Sequence, residues 1–136
     1  MQIGIDLGAT KIEYVVLDSN NSEIVRQREN TPSNYKKLLE TISSIIKRLS
    51  TKYNQNLNVG ICHPGSMDSK GKVFNTYNLK CIKDKKIKND LSSLIPNKLK
   101  FENDANCFAL SEAVDGAGKD HPVVFGVIIG TGTGGG

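Results

Sequence analysis

A glycine turn near the start of the chain carries residues suited to binding phosphate. Asp6 ends an apolar run and is followed by Gly8, Thr10 and Lys11. A tight glycine turn brings backbone N–H groups close to phosphate oxygens, and the threonine and lysine side chains add further donors. Asp6 is placed to hold Mg²⁺, directly or through water. A plain hairpin turn that accommodates the same residue types is an equally supported alternative.

A second glycine turn follows the apolar run 123–129 and reads GTGTGGG over residues 130–136. Glycine lets the backbone fold around a phosphate where any side chain would clash. Neither turn fits the Walker pattern, because no Gly-Lys-Ser/Thr follows, and neither is a G-x-G-x-x-G that opens a helix. A flexible linker is the alternative, but linkers do not usually continue directly from a strand of buried character.

The segment Glu102-Asn103-Asp104-Ala105-Asn106 lies between a predicted strand and a predicted helix. Amides donate and accept hydrogen bonds while carboxylates accept them from hydroxyls, so this segment suits a polyhydroxylated ligand. Asn103 and Asp104 are also good helix caps, and the two roles are compatible. A carboxylate at a helix N-terminus is kept ionised by the helix dipole, as a general base requires.

The stretch Gly60–Ser66 contains the forced turn His63-Pro64-Gly65, and Asn75 and Asn78 follow it. The exposed backbone at Gly65 and the two asparagines provide further contacts for a ligand rich in hydroxyls. For His63, a turn residue packed beside proline is favoured over a catalytic base.

The hydrophobic pattern predicts an α/β fold with a mixed sheet. Period-two alternation gives three sequential strands with short turns, which make an antiparallel meander, and later strands alternate with helices. Thr31-Pro32 signals the first helix start, with Ser33 as the alternative cap. The predicted strands are 2–7, 12–17, 23–29, 57–62, 98–101 and 123–129, with a hairpin around 69–71 and helices at 35–49, 90–95 and 105–114.

Composition bounds the class of protein. The 136 residues are 38% hydrophobic and 24% charged, no apolar run approaches the ~20 residues of a membrane span, and we expect a cytoplasmic location. Cys62, Cys81 and Cys107 form no C-x-x-C pair, which predicts reduced thiols without a metal. The lysine-rich stretch 80–88 lacks interleaved aromatic residues, so we expect no nucleic-acid partner.

Five motifs in order resemble the ROK (repressor, open reading frame, kinase) family of sugar kinases, within the actin-like ATPase (RNase H-like) superfold. They are GIDLGATK, ENTPSNY, GICHPGSMD, FENDANCFALSEA and VIIGTGTGGG. Two positions depart from the family pattern: Ala9 stands where glycine is commoner, and Cys81 lies near where many relatives carry tryptophan. The resemblance implies a sugar kinase domain over residues 1–121 and the first strand and phosphate loop of a truncated second domain over residues 122–136.

The resemblance also implies roles for individual residues. Asp104 would be the catalytic base, and the sugar ligands would be Gly65, Asn78, Asn103 and Asp104. The groups facing ATP and Mg²⁺ would be Asp6, Gly8, Thr10, Lys11, Gly132, Thr133 and Gly134. A structural zinc site, further sugar contacts and the adenine pocket are expected only in the second domain.

The implied function is ATP-dependent phosphorylation of a hexose at the 6-hydroxyl. The working kinase is expected to be a homodimer, and the isolated 136-residue chain is expected to be inactive. Fructose ranks first because SEAVDGAGKDHPVVFGVIIGTG looks most like bacterial fructokinases, followed by N-acetylglucosamine or glucose. The alternatives are a sugar-responsive ROK regulator and a sugar-binding fragment without activity. ROK regulators place a helix-turn-helix ahead of the first strand, whereas here that strand begins at Met1.

Overall fold

The computed structural model of the chain describes residues 1–129 and 133–136. In chain order the strands are β1 (Gln2–Leu7), β2 (Lys11–Leu17), β3 (Glu23–Asn30), β4 (Asn58–His63), β5 (Ser66–Met67), β6 (Val73–Phe74), β7 (Leu99–Asn103), β8 (Val127–Ile129) and β9 (Thr133–Gly135). The helices are α1 (Tyr35–Lys52), α2 (Ile87–Ser92) and α3 (Asp104–Val114), with a 3₁₀ turn at Lys80–Ile82.

The main sheet has five strands in the order β3-β2-β1-β4-β7. Strands β1 to β3 form the predicted antiparallel meander, while β4 pairs parallel with β1 and β7 parallel with β4. Parallel pairing requires crossover connections, which α1 and then the β5–β6 hairpin with α2 provide. As a result, the carboxyl ends of β1, β4 and β7 lie together at one edge of the sheet.

The core lies between one face of the sheet and helices α1 and α2. Alternate residues of β1, namely Ile3, Ile5 and Leu7, are buried there, as period-two alternation predicts. Helix α1 covers them with a stripe at helical spacing that includes Leu38, Ile42, Ile45, Ile46 and Leu49. Among the described residues, no helix combines the length and apolar character needed to cross a membrane.

The start of α1 differs from the sequence expectation. The N-cap is Asn34, whose side-chain oxygen accepts a hydrogen bond from the amide of Lys37 at 3.1 Å. The prediction of Thr31 or Ser33 as cap was wrong. Asn34 is the residue in reach of the third helical amide, and the Thr31 hydroxyl instead donates to the carbonyl of Gly8 at 2.8 Å.

Other boundaries shift as well. Helix α2 begins at Ile87 rather than at residue 90, because burial of Ile87 and Leu91 on one face sets its extent. Strand β7 continues past residue 101 to Asn103 through pairing with His63. Only residues 127–129 of the predicted strand 123–129 form a strand, which pairs with β9, while Gly126 exchanges both backbone hydrogen bonds with Gly136.

Candidate active site

A cavity of about 830 Å³ opens at the edge where β1, β4 and β7 end. The β1–β2 turn, the loop after β4, the segment after β6, the start of α3 and the β8–β9 hairpin surround it. It brings together residues that are far apart in the sequence. The predicted site residues that line it are Thr10, Gly65, Asn78, Asn103, Asp104, Thr133 and Gly134.

The other predicted site residues lie elsewhere. Gly8 and Lys11 form the neck of the β1–β2 turn, where the Gly8 amide donates to the Lys11 carbonyl at 3.0 Å. A Cβ at residue 8 would lie 2.8 Å from that carbonyl oxygen, so the tight neck requires glycine. Asp6 lines a second cavity of about 500 Å³, on the sheet face opposite α1. Gly132 lies outside the described residues.

The loop after β4 adopts a conformation that only glycine adopts easily. Gly65 has φ +84°, and a Cβ there would lie 2.6 Å from the carbonyl oxygen of Phe74. Farther along, the buried Thr76 hydroxyl donates to the carbonyl of Leu79 at 3.3 Å, which braces the segment carrying Asn78. The exposed Asn78 side chain therefore stands at the rim of the cavity on a fixed backbone.

Helix α3 starts at Asp104, with Asn103 as its N-cap. The Asn103 side-chain oxygen accepts from the amides of Ala105 and Asn106 at 2.9 and 3.3 Å. Of the two cap candidates, Asn103 makes the cap, and Asp104 occupies the first helical position. Its carboxylate sits at the positive end of the helix dipole and lines the cavity.

Glu102 and Asn106 do not line this cavity, although the sequence grouped them with the ligand-binding residues. Asn106 donates from Nδ2 to the Glu102 carboxylate at 2.9 Å, and the Asn103 amide donates to the same oxygen at 2.8 Å. These two hydrogen bonds lower the pKa of Glu102 below its usual value. Glu102 therefore braces the end of β7 and does not line the cavity.

Partial desolvation and two neighbouring carboxylates disfavour the ionised form of Asp6. Desolvation at the crowded strand end, followed by the charges of Asp104 and Glu13, raises its pKa above the usual value of 3.8. A cation beside Asp6 would relieve this repulsion, so the donor set fits Mg²⁺ held directly or through water. Within residues 1–129 and 133–136, no three His, Cys, Asp or Glu side chains cluster closely enough to form a metal site by themselves.

His63 packs as a turn residue. Its side chain is buried, its ring lies 6.1 Å from the ring of Phe101 between centroids, and Nδ1 lies 3.1 Å from the carbonyl oxygen of Pro64. The next residue back, Cys62, is adjacent to the Cys107 thiol, and burial raises the pKa of both thiols. Both are free thiols, as the sequence predicts.

Sequence reasoning missed some residues around the cavity. Ala9 and Tyr77 line it, and Tyr77 is 78% exposed at its mouth. Thr31, which directly follows β3, donates a hydrogen bond to the β1–β2 turn. The placement of Tyr77 between Asn75 and Asn78 was the available signal for Tyr77. Thr31-Pro32 was recognised only as a helix start.

Curated proteins with similar sequences include N-acetyl-D-glucosamine kinases. The N-acetyl-D-glucosamine kinase of Vibrio atlanticus is 39% identical over 137 residues, which cover all of this chain and 45% of that kinase. The enzyme of the same name from Haemophilus influenzae is 37% identical with the same coverage. This chain therefore spans less than half the length of these curated relatives.

Solved structures agree on the fold. A ROK family glucokinase from Streptomyces griseus, crystallised with glucose and AMPPNP, matches with a TM-score of 0.84 at 29% identity, covering 98% of this chain and 43% of that one. The inorganic polyphosphate/ATP-glucomannokinase of Arthrobacter sp. strain KM matches with a TM-score of 0.85 at 26% identity. The match covers 98% of this chain and 56% of that one. The fold is thus the actin-like ATPase fold. Because a family model described as the ROK family matches residues 2–136, the chain belongs to the ROK family.

Proposed function

We propose that this chain is the N-terminal part of an ATP-dependent hexose kinase, with residues 1–121 as the first domain and residues 122–136 as the start of a second. The observation that carries the proposal is one cavity lined by Asp104, Asn103, Gly65 and the tip of the β1–β2 turn. It joins a carboxylate, sugar-type hydrogen-bonding groups and a phosphate-type turn in one space. The similar kinases support the same reaction class.

In the proposed mechanism, Asp104 accepts the proton of the attacking hydroxyl. The Asn78 amide and the backbone at Gly65 hold neighbouring hydroxyls, so that the nucleophile is oriented before reaction. Thr10 and the amides of its turn face the phosphoryl group and stabilise charge on its oxygens. Mg²⁺, when bound near Asp6, would neutralise phosphate charge. We assign the adenine pocket, further sugar contacts and a structural zinc site to the second domain.

For the substrate, we propose N-acetylglucosamine first and fructose second, with phosphorylation at the 6-hydroxyl. The sequence pattern of residues 111–132 favoured fructose. However, relatives named N-acetyl-D-glucosamine kinase align along the whole chain at 37–39% identity, which favours the amino sugar. We further propose that the working kinase is a homodimer.

The test is ADP release by the proposed two-domain protein, supplied with Mg²⁺, ATP and one of N-acetylglucosamine, fructose, glucose or mannose. We expect turnover that depends on the sugar, with the highest kcat/KM for N-acetylglucosamine. The 136-residue chain alone is expected to be inactive, and the Asp104→Asn variant serves as the control for contaminating host kinases. Absence of turnover with all four sugars would contradict the proposal.

A further inference from the structure

Thr31 makes two hydrogen bonds to the β1–β2 turn. Its hydroxyl donates to the carbonyl of Gly8 at 2.8 Å, and its backbone amide donates to the carbonyl of Thr10 at 3.0 Å. Thr31 follows β3 directly, at the end of the sheet where the cavity opens. Because Asn34 caps α1, the Thr31 hydroxyl is not needed for the helix and can serve the turn.

The two bonded carbonyls flank Ala9, and Ala9 and Thr10 line the cavity. A carbonyl oxygen facing this cavity would repel a phosphate oxygen, whereas an amide N–H attracts it. By accepting from Thr31, both carbonyls are directed toward β3. Because C=O and N–H lie on opposite sides of a trans peptide unit, the N–H groups of Ala9 and Lys11 point away from β3.

The turn would have fewer restraints without Thr31. Across its neck, the Gly8 amide bonds to the Lys11 carbonyl, but this bond joins the two ends of the turn only to each other. Thr31 joins the turn to a different strand, 23 residues away from Gly8 in the sequence. The half-buried Thr31 hydroxyl thus adds a restraint on the turn that the turn does not supply itself.

We propose that Thr31 is a positioning residue for nucleotide binding, and that its hydroxyl holds the β1–β2 turn with its amides directed at the phosphate groups of ATP. This inference rests on the proposed function and adds Thr31, the residue that follows β3, to the proposed nucleotide site. It predicts an effect on the affinity for ATP that is separate from the affinity for sugar.

The test uses Thr31→Val, which keeps the shape and the backbone amide but removes the hydroxyl, and Thr31→Ser, which keeps the hydroxyl. Thr51→Val, at an exposed position in the last turn of α1, is the matched control. In the two-domain kinase, we expect Thr31→Val to raise KM for ATP about 3- to 10-fold, the usual effect of one lost hydrogen bond. KM for the sugar should stay within about twofold, and Thr31→Ser should restore KM for ATP.

A second measurement separates this inference from the proposed function. Hydrogen exchange on the 136-residue chain should show faster exchange in the turn 8–11 of Thr31→Val, with normal exchange in Thr31→Ser and Thr51→Val. If the kinase activity is absent but the turn responds in this way, the proposed function fails while Thr31 still positions the turn. Unchanged exchange in Thr31→Val overturns the inference, as does an equal rise in KM for ATP and sugar.

Discussion

The Nδ2 atom of Asn103 donates a hydrogen bond to the backbone carbonyl of Gly65, over a distance of 2.7 Å. The other end of the same side chain caps helix α3. One amide group therefore connects the loop after β4 to the start of the helix that carries Asp104. The distance between the loop after β4 and Asp104 therefore depends on this side chain.

The two functions of Asn103 can be separated by substitution. Asn103→Ser keeps a capping oxygen but loses the bond to Gly65, so we expect a loss of about 1 kcal/mol in the free energy of unfolding. Asn103→Ala loses both and should cost about 2 kcal/mol. Urea denaturation followed by circular dichroism would measure both values. Equal stability of the two variants would show that the capping hydrogen bonds contribute nothing.

Gly65 and Gly60 form a matched pair for testing backbone strain. Alanine at residue 65 must adopt φ +84° and approach the Phe74 carbonyl, so we expect Gly65→Ala to destabilise the chain by about 1–3 kcal/mol. Gly60 lies in β4, and a Cβ there meets no atom within 4 Å. Gly60→Ala should therefore be neutral or slightly stabilising. Thermal unfolding of both variants checks the contrast, and a mild effect at residue 65 would contradict the observed loop conformation.

Asp104→Asn separates proton transfer from binding. Asparagine can still hydrogen-bond a hydroxyl but cannot accept its proton, so kcat of the two-domain kinase should fall by roughly 10²–10⁴. Stability should change by less than about 1 kcal/mol, because Asn103 and not Asp104 caps the helix. Steady-state kinetics and urea denaturation measure the two quantities. Near-normal kcat in this variant would mean that the base lies elsewhere.

The raised pKa of Asp6 predicts a pH-dependent penalty on stability. An acid whose pKa is higher in the folded state favours folding only while protonated, so this contribution is present below the usual pKa of 3.8 and lost as the pH rises through the raised value. Without Mg²⁺, Asp6→Asn should match the wild type near pH 3 and exceed it at pH 7. The gain should stay below about 1 kcal/mol, because the carboxylate is exposed and screened.

Urea denaturation of both proteins in EDTA, at several pH values, follows this difference. Adding salt should reduce the gain at pH 7, since neighbouring charges cause part of the shift. A variant that is less stable than the wild type at pH 7, or a difference that does not depend on pH, would disprove the assigned cause.

Much of the fold was predictable because its signals are local. The alternation in β1 and the stripe of α1 each depend on side chains a few residues apart, and both elements formed as expected. The turn at Gly65 was likewise visible, since His63-Pro64-Gly65 leaves the chain few alternatives. The grouping of Asn103 and Asp104 at the cavity also followed from their place at a strand end.

Other features depend on contacts between distant segments, which a single sequence does not display. Thr31 and Asn34 are both good cap residues, but the Thr31 hydroxyl donates to the carbonyl of Gly8, which lies more than twenty residues earlier in the sequence. Glu102 and Asn106 have the residue types of sugar ligands, but they hydrogen-bond to each other and do not line the cavity. For the same reason, Ala9 and Tyr77, which line the cavity, were not assigned to the site.

The strand directions in the sheet also show which turn can be modified without obstructing the cavity. The turn between β2 and β3, where the Asp18 side chain accepts from the amides of Asn20 and Ser22, lies at the opposite end of the sheet from the cavity. A dye, an affinity tag or a surface anchor placed in this turn would leave the mouth of the cavity open. The molecule could thus be immobilised with its ligand-facing end directed into solution.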